Sequence, residues 1–251
     1  MTGRESGLVV YHADWGRSCR AIWLLRELQV PFTLKVVDWF KIKDKQFMDH
    51  ISPLGRIPVL FDDGDVHIYE SGAMVEYLLE KYSKGPLTVP CGTPQRAEYL
   101  QWFNTAETVG MRSVAKLYLY KVIPDSNPKK TPELLQQGVD GTKAYLQDLE
   151  DYLSTRHKGD WVCGSQLTAA DIMLSYTLGL MTYSTAGPYT SAPQVLKASD
   201  YPVLTAYWER MQSLSGYQDC YGDINLLPMG EYSIEPGMSF QGKGTRRPTT
   251  F

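Results

Sequence analysis

The sequence has little of what marks a membrane, metal-binding or nucleic-acid-binding protein. No apolar run approaches the roughly 20 residues that a membrane-spanning helix requires, so no membrane partner is expected. Met1 to Gly7 show no basic-then-apolar signal pattern. The four cysteines, Cys19, Cys91, Cys163 and Cys220, are scattered, with neither metal-ligand spacing nor a Cys-x-x-Cys pair. They are expected to be free thiols in a reducing compartment, with no metal. Basic residues are not in excess: 25 Lys and Arg stand against 28 Asp and Glu, for a net charge of −3. That balance gives no reason to expect nucleic acid as a partner. No internal repeat is present. What remains is a chain of ordinary apolar content, long enough at 251 residues for one large domain or two small ones, with the cytoplasm as its expected location.

The most informative stretch is Ser52 to Ser71, S-P-L-G-R-I-P-V-L-F-D-D-G-D-V-H-I-Y-E-S. Val59 to Phe61 and Val66 to Tyr69 read as two strands around an Asp-Asp-Gly-Asp turn. Pro58 cannot donate to a strand ladder, which places it at an edge or bulge. If the Ile57–Pro58 bond is cis, the N–H and C=O of Ile57 face outward and are open to an extended peptide. Glu70-Ser71 falls where strand gives way to helix, a position at which N–H groups and a hydroxyl can hold a carboxylate. Together these features suggest capture of a small peptide bearing carboxylates.

Around this stretch the chain changes character once. Leu8 to His12 and Phe32 to Val37 read as strands flanking a helix at Arg20 to Leu28. Lys41 to His50 is a short basic helix, and Ser71 to Tyr82 a helix with Met74, Val75, Leu78 and Leu79 on one face. The βαβ-ββα order predicts a small α/β domain over 1–83. Residues 84–94, with three prolines and two glycines, read as a linker. Helical periodicity then dominates 95–221: one long helix over 96–122, another over 132–155, a third from Thr168 and a last over 203–214. T-A-A-D at Thr168 is a capping box in which Asp171 reaches back to the Thr168 N–H, with Leu167 and Ile172 placed for a hydrophobic staple. Tyr183 to Ser199 reads as a loop and 222–251 as an extension whose last residues are mobile unless they dock.

A thioredoxin-like α/β N-terminal domain, a linker and an all-α helical-bundle C-terminal domain together resemble the cytosolic glutathione transferases. The resemblance covers Leu8 to Tyr221 and rests on P-L-G-R-I-P-V-L, I-Y-E-S and the T-A-A-D helix start, in that order and spacing. It implies that Ile57, before Pro58 as the cis residue, pairs its backbone with the cysteinyl part of glutathione. It also implies that Glu70 and Ser71 bind the γ-glutamyl group, and that Arg56, with Lys41, faces the glycyl end. Each piece has an ordinary use as well: Pro58 as an edge-strand proline, Ser71 as a helix start, and the two cations as solvated charges.

A transferase must also lower the pKa of the bound thiol, because the thiolate is the nucleophile. The segment Tyr11 to Leu25, Y-H-A-D-W-G-R-S-C-R-A-I-W-L-L, resembles two family patterns at once. In the tyrosine-class frame Tyr11 is the thiolate-stabilising hydroxyl and Arg17 a glutathione or helix-start contact. In the bacterial and fungal frame Arg17, Ser18, Arg20 and Trp23 match, Gly16 stands where the first serine would be, and Ser18 is the nearest hydroxyl. Cys19, if exposed, and the backbone alone are further candidates, and the choice stays open. The resemblance places a small hydrophobic electrophile against the long helix after the linker, with Met111, Arg112 and Tyr118 as pocket residues, and implies a homodimer.

Overall fold

The computed structural model describes residues 7–13, 16–38, 41–83, 85–156, 159–183, 199–221 and 232–234. These form two compact units. One takes the described residues up to Ser83 together with those from Leu214 to 234; the other is Gly85–Ser213.

The first unit is built on a mixed sheet, in the order β4 (Val66–Ile68), β3 (Val59–Asp62), β1 (Leu8–His12), β2 (Thr33–Val36) and β5 (Tyr232–Ile234). β1 runs parallel to β2 and antiparallel to β3, which forms a hairpin with β4. Asp63 and Gly64 both have positive φ, 49° and 72°, the backbone that a two-residue turn needs to match strand twist. All five residues of β1 are buried, as expected of a strand covered on both faces. On one face lie α1 (Ser18–Glu27) and α3 (Ser71–Tyr82). On the other, Val9, Tyr11 and Ala13 pack with Val37, Ile42, Phe47, Ile57 and Val59; Phe47 comes from α2 (Lys45–His50).

Two elements of this unit differ from the sequence reading. A short helix, α9 (Ser215–Tyr221), follows the last expected helix and packs on α1 rather than with the bundle. Tyr217 meets Trp23 edge-on at 5.7 Å, and Arg26 pairs with Asp219. The described residues from Leu214 on therefore group with the first unit. The other is β5 (Tyr232–Ile234), which adds in parallel to β2.

The second unit is helical: α4 (Pro94–Thr105), α5 (Met111–Val122), α6 (Pro132–Asp151), α7 (Ala169–Tyr183) and α8 (Pro202–Ser213). The expected long helix runs from 94 to 122, but it carries a π-type turn at Ala106–Gly110. There the Thr177 hydroxyl donates to the Ala106 carbonyl at 2.7 Å. A Cβ at Gly110 would lie 2.5 Å from the Thr177 methyl, so only glycine admits this approach. A similar turn, Tyr152–Arg156, ends α6. Thr93 and Thr131 cap α4 and α6 by accepting from the N–H groups of Arg96 and Leu134 at 3.2 and 3.1 Å, each followed by proline.

The T-A-A-D start is as expected and more extensive. Asp171 accepts from the Thr168 N–H and hydroxyl, the Val162 N–H and the Tyr207 hydroxyl, all at 2.7–2.8 Å. Leu87 and Val89, in the segment read as a linker, are buried, and the Leu87 carbonyl accepts from the Ala169 N–H. Of the loop expected over Tyr183 to Ser199, Tyr183 ends α7 and 184–198 lie outside the described residues, as does the tail at 241–251. Among the described residues no helix is long and apolar enough to cross a membrane.

Candidate functional site

The residues expected to anchor glutathione include Arg56, Glu70 and Ser71, which lie at the start of α3. Sheet pairing between β3 and β1 begins at Val59 opposite Tyr11, so Ile57 and Pro58 lie just beyond the ladder. The Ile57–Pro58 bond is cis. Among the described residues no hydrogen bond occupies the Ile57 backbone. The preceding loop is fixed by Ser52, whose buried hydroxyl accepts from the Arg56 N–H at 3.0 Å. Lys43 Nζ donates to the Leu54 carbonyl at 2.9 Å, which ties the turn carrying half-buried Lys41 to this loop.

Arg56 Nη1 stands 4.0 Å from Glu70 Oε1, with the two side chains 60% and 58% exposed. A pair so open to water holds with little energy, and both groups can turn to a ligand. Glu70 is the N-cap residue of α3, yet its side chain does not cap the helix. Beside it Ser71 is buried, and its hydroxyl accepts from Arg20 Nη1 at 3.0 Å. Arg20 is 0% exposed.

The candidates for thiol activation lie at β1 and the start of α1, and both hydroxyls are enclosed. Tyr11 is 1% exposed. Its ring meets Phe47 and Phe61 edge-on at 6.3 and 5.9 Å, and its hydroxyl lies 3.4 Å from Lys35 Nζ. Ser18 is 0% exposed, with its Oγ 2.7 Å from His12 Nδ1. Successive strand residues face opposite sides of a sheet, so Tyr11 and His12 address different faces. Arg17, half-buried, is the N-cap residue of α1 and gives it no side-chain cap. Gly16 sits between Ser18 and Ile57: a Cβ there would lie 3.0 Å from Ser18 Oγ, 3.4 Å from Ile57 Cγ2 and 2.7 Å from the Ala13 carbonyl. The last contact is with backbone, so this turn has no room for the serine of the bacterial and fungal pattern.

Cys19 does not meet the condition for thiol chemistry. It is buried, and its Sγ donates to the Cys220 carbonyl at 3.3 Å. Burial also pushes the Cys220 thiol well above its ordinary range and the Cys163 thiol up to about 12. Cys91 is exposed. In the second unit, α5 holds Met111 half-buried, Arg112 exposed and Tyr118 48% exposed, whereas Trp102 and Phe103 are core residues.

Arg20 enters the sequence reading only as a match to the bacterial and fungal frame, with no role of its own, and His12 is not singled out. Arg20 could have been noticed as the one charge within the otherwise apolar run from Cys19 to Leu25. His12 carries no comparable signal.

Residues 17–81 match the family description "Glutathione S-transferase, N-terminal domain", and residues 114–217 match "Glutathione S-transferase, C-terminal domain". Glutathione S-transferase 3 of Schizosaccharomyces pombe is 26% identical over 216 residues, covering 82% of this chain and 88% of its own. Dichloromethane dehalogenase of Methylorubrum extorquens is 29% identical over 180 residues, 68% of this chain and 60% of its own. In fold, the chain is similar to a glutathione transferase from Phanerochaete chrysosporium solved with oxidised glutathione, with a TM-score of 0.71 at 21% identity, covering 88% of this chain and 96% of that one. With both family descriptions matched in order, and with the expected helix start and hairpin in place, this chain belongs to the glutathione S-transferase family and is a glutathione-dependent transferase.

Proposed function

We propose that the protein joins the glutathione thiolate to a small hydrophobic electrophile, and that the thiolate forms at the start of α1. The observation that carries this reading is the meeting of Arg56, Glu70 and Ser71 at an α3 start that no side chain caps. The γ-glutamyl α-carboxylate takes the Ser71 hydroxyl and the first-turn N–H groups of α3. The γ-glutamyl ammonium takes the Glu70 carboxylate. Arg56 and Lys41 face the glycyl carboxylate, and the cysteinyl backbone pairs with Ile57.

That anchoring leaves the sulfur near Ile57, on the side of Gly16 and Ser18. Ser18 needs only a rotation about its own side chain to donate to the sulfur, whereas Tyr11 would have to leave its contacts with Phe47 and Phe61. In the tautomer that carries the proton on Nδ1, His12 donates to Ser18 Oγ and leaves the serine proton for the thiolate. The ionised sulfur then attacks the electrophile, expelling a leaving group or adding to an activated double bond. Met111, Arg112 and Tyr118 of α5 are the residues proposed to face that electrophile, and the working form is taken to be a cytoplasmic homodimer.

A dehalogenase among the relatives supports displacement of halide as the reaction to test first. Turnover of glutathione with 1-chloro-2,4-dinitrobenzene and with dichloromethane is expected in the wild type. In Ser18→Ala it should fall about 100-fold, with glutathione binding kept within threefold, the rate factor expected of one lost donor to a reacting atom. Wild-type turnover unchanged by Ser18→Ala would remove Ser18 from the mechanism. Glutathione binding without turnover of any electrophile class would favour a binding or regulatory role instead.

A further inference from the structure

The group that meets Ser71 from inside the protein is charged. Arg20 lies on α1 among Cys19, Ala21, Ile22, Trp23 and Leu24, all buried, and reaches across 51 residues of sequence to Ser71. Burying a guanidinium is expensive, and an apolar residue of similar volume would hold α1 against α3 at lower cost. The direction of the hydrogen bond is fixed by chemistry. A guanidinium only donates, so Ser71 Oγ accepts from it, and the hydroxyl keeps its own proton for another acceptor. Glu70 supplies no side-chain cap, so the first-turn N–H groups of α3 are not taken by it either.

The geometry points to Arg20 as a positioning residue that makes Ser71 a donor to the γ-glutamyl α-carboxylate and places positive charge beneath that carboxylate. Arg20 does this through Ser71, which alone of the two touches the ligand. The inference rests on the glutathione reading above and adds a specificity to it. The protein should distinguish glutathione from thiol peptides of the same length and charge at the glycyl end that lack the γ-glutamyl carboxylate.

The test is calorimetric titration with two ligands, glutathione and γ-aminobutyryl-cysteinyl-glycine. The second keeps the amine, the thiol and the glycyl carboxylate and lacks only the α-carboxylate. Wild type is expected to prefer glutathione about tenfold or more, the value of a hydrogen bond to a charged group. Arg20→Met and Ser71→Ala should each bring that ratio towards one, leaving the affinity for the analogue within about twofold of wild type. Combining them should add little, since the two residues act as one unit. Arg20→Lys should keep part of the preference, retaining the charge without the planar fork.

Equal loss of both ligands in Arg20→Met would mean that Arg20 is only structural and would overturn the inference, as would an unchanged ratio. Where Arg20→Met fails to fold, Arg20→Gln serves with the same two outcomes. A wild type that binds neither ligand would overturn the glutathione reading itself, whereas one that binds glutathione with an Arg20-independent preference overturns this inference alone.

Discussion

The helix starts of the two units are made differently. In the second unit α4, α6 and α7 begin with side chains that satisfy the local N–H groups: Thr93, Thr131 and, most completely, Asp171, which takes four donors. In the first unit α1 and α3 begin without any side-chain cap, as does the short α2. Ser18 and Ser71, the first residues of α1 and α3, are held instead by His12 and Arg20 from within the protein. A capped start spends its electrostatics on stability. An uncapped start with a braced hydroxyl leaves the helix dipole and the hydroxyl proton open to a ligand, although at α1 the Cys19 and Arg20 N–H groups already bond the Gly16 and Arg17 carbonyls. On the proposed function, stability is concentrated at one set of helix starts and ligand chemistry at the other.

The comparison can be broken by removing caps. Asp171→Ala would leave four buried donors without their acceptor, and the stability of the protein to urea should fall by roughly 3 kcal/mol or more. Burial raises the carboxyl of Asp171, and the four donors oppose that shift; the loss expected on its removal is that of the donors. Glutathione affinity of the fraction that remains folded should be unaltered, and a large change in that affinity would erase the distinction between the two sets. Thr131→Ala is the smaller version of the same test. It should cost about 1 kcal/mol in the same urea titration, with no effect on glutathione turnover.

Much of this was legible because it is local. The turn at Asp63-Gly64, the capping box at Thr168 and the caps at Thr93 and Thr131 are decided within four residues, and each residue type carries its backbone or hydrogen-bonding reason with it. The proposed anchoring set is local for a second reason: Arg56, Ile57, Pro58, Glu70 and Ser71 fall within one hairpin and the helix that follows it. What could not be read depends on distant partners. The π-type turn at Ala106–Gly110 needs Thr177, 71 residues from Ala106. The placement of α9 involves Trp23, and the contact of Arg20 with Ser71 at 3.0 Å forms only when α3 packs on α1. Tyr11 and Ser18 were indistinguishable in sequence because each is a hydroxyl near the start of α1. Tyr11 is held on one face of β1 by packing with Val9, Ala13 and Phe47 of α2, whereas Ser18 lies at the start of α1 beside His12.

The central claim is that the uncapped start of α1, and not the tyrosine of β1, makes the thiolate. The most direct measurement is the pKa of the thiol of bound glutathione, followed by thiolate absorbance across pH in wild type, Ser18→Ala and Tyr11→Phe. The account predicts a thiol pKa at least about one unit below the free value in wild type, equivalent to about 1.4 kcal/mol of preference for the thiolate. Ser18→Ala should return it towards the free value, and Tyr11→Phe should leave it depressed. A depressed pKa restored by Tyr11→Phe and untouched by Ser18→Ala would contradict the account.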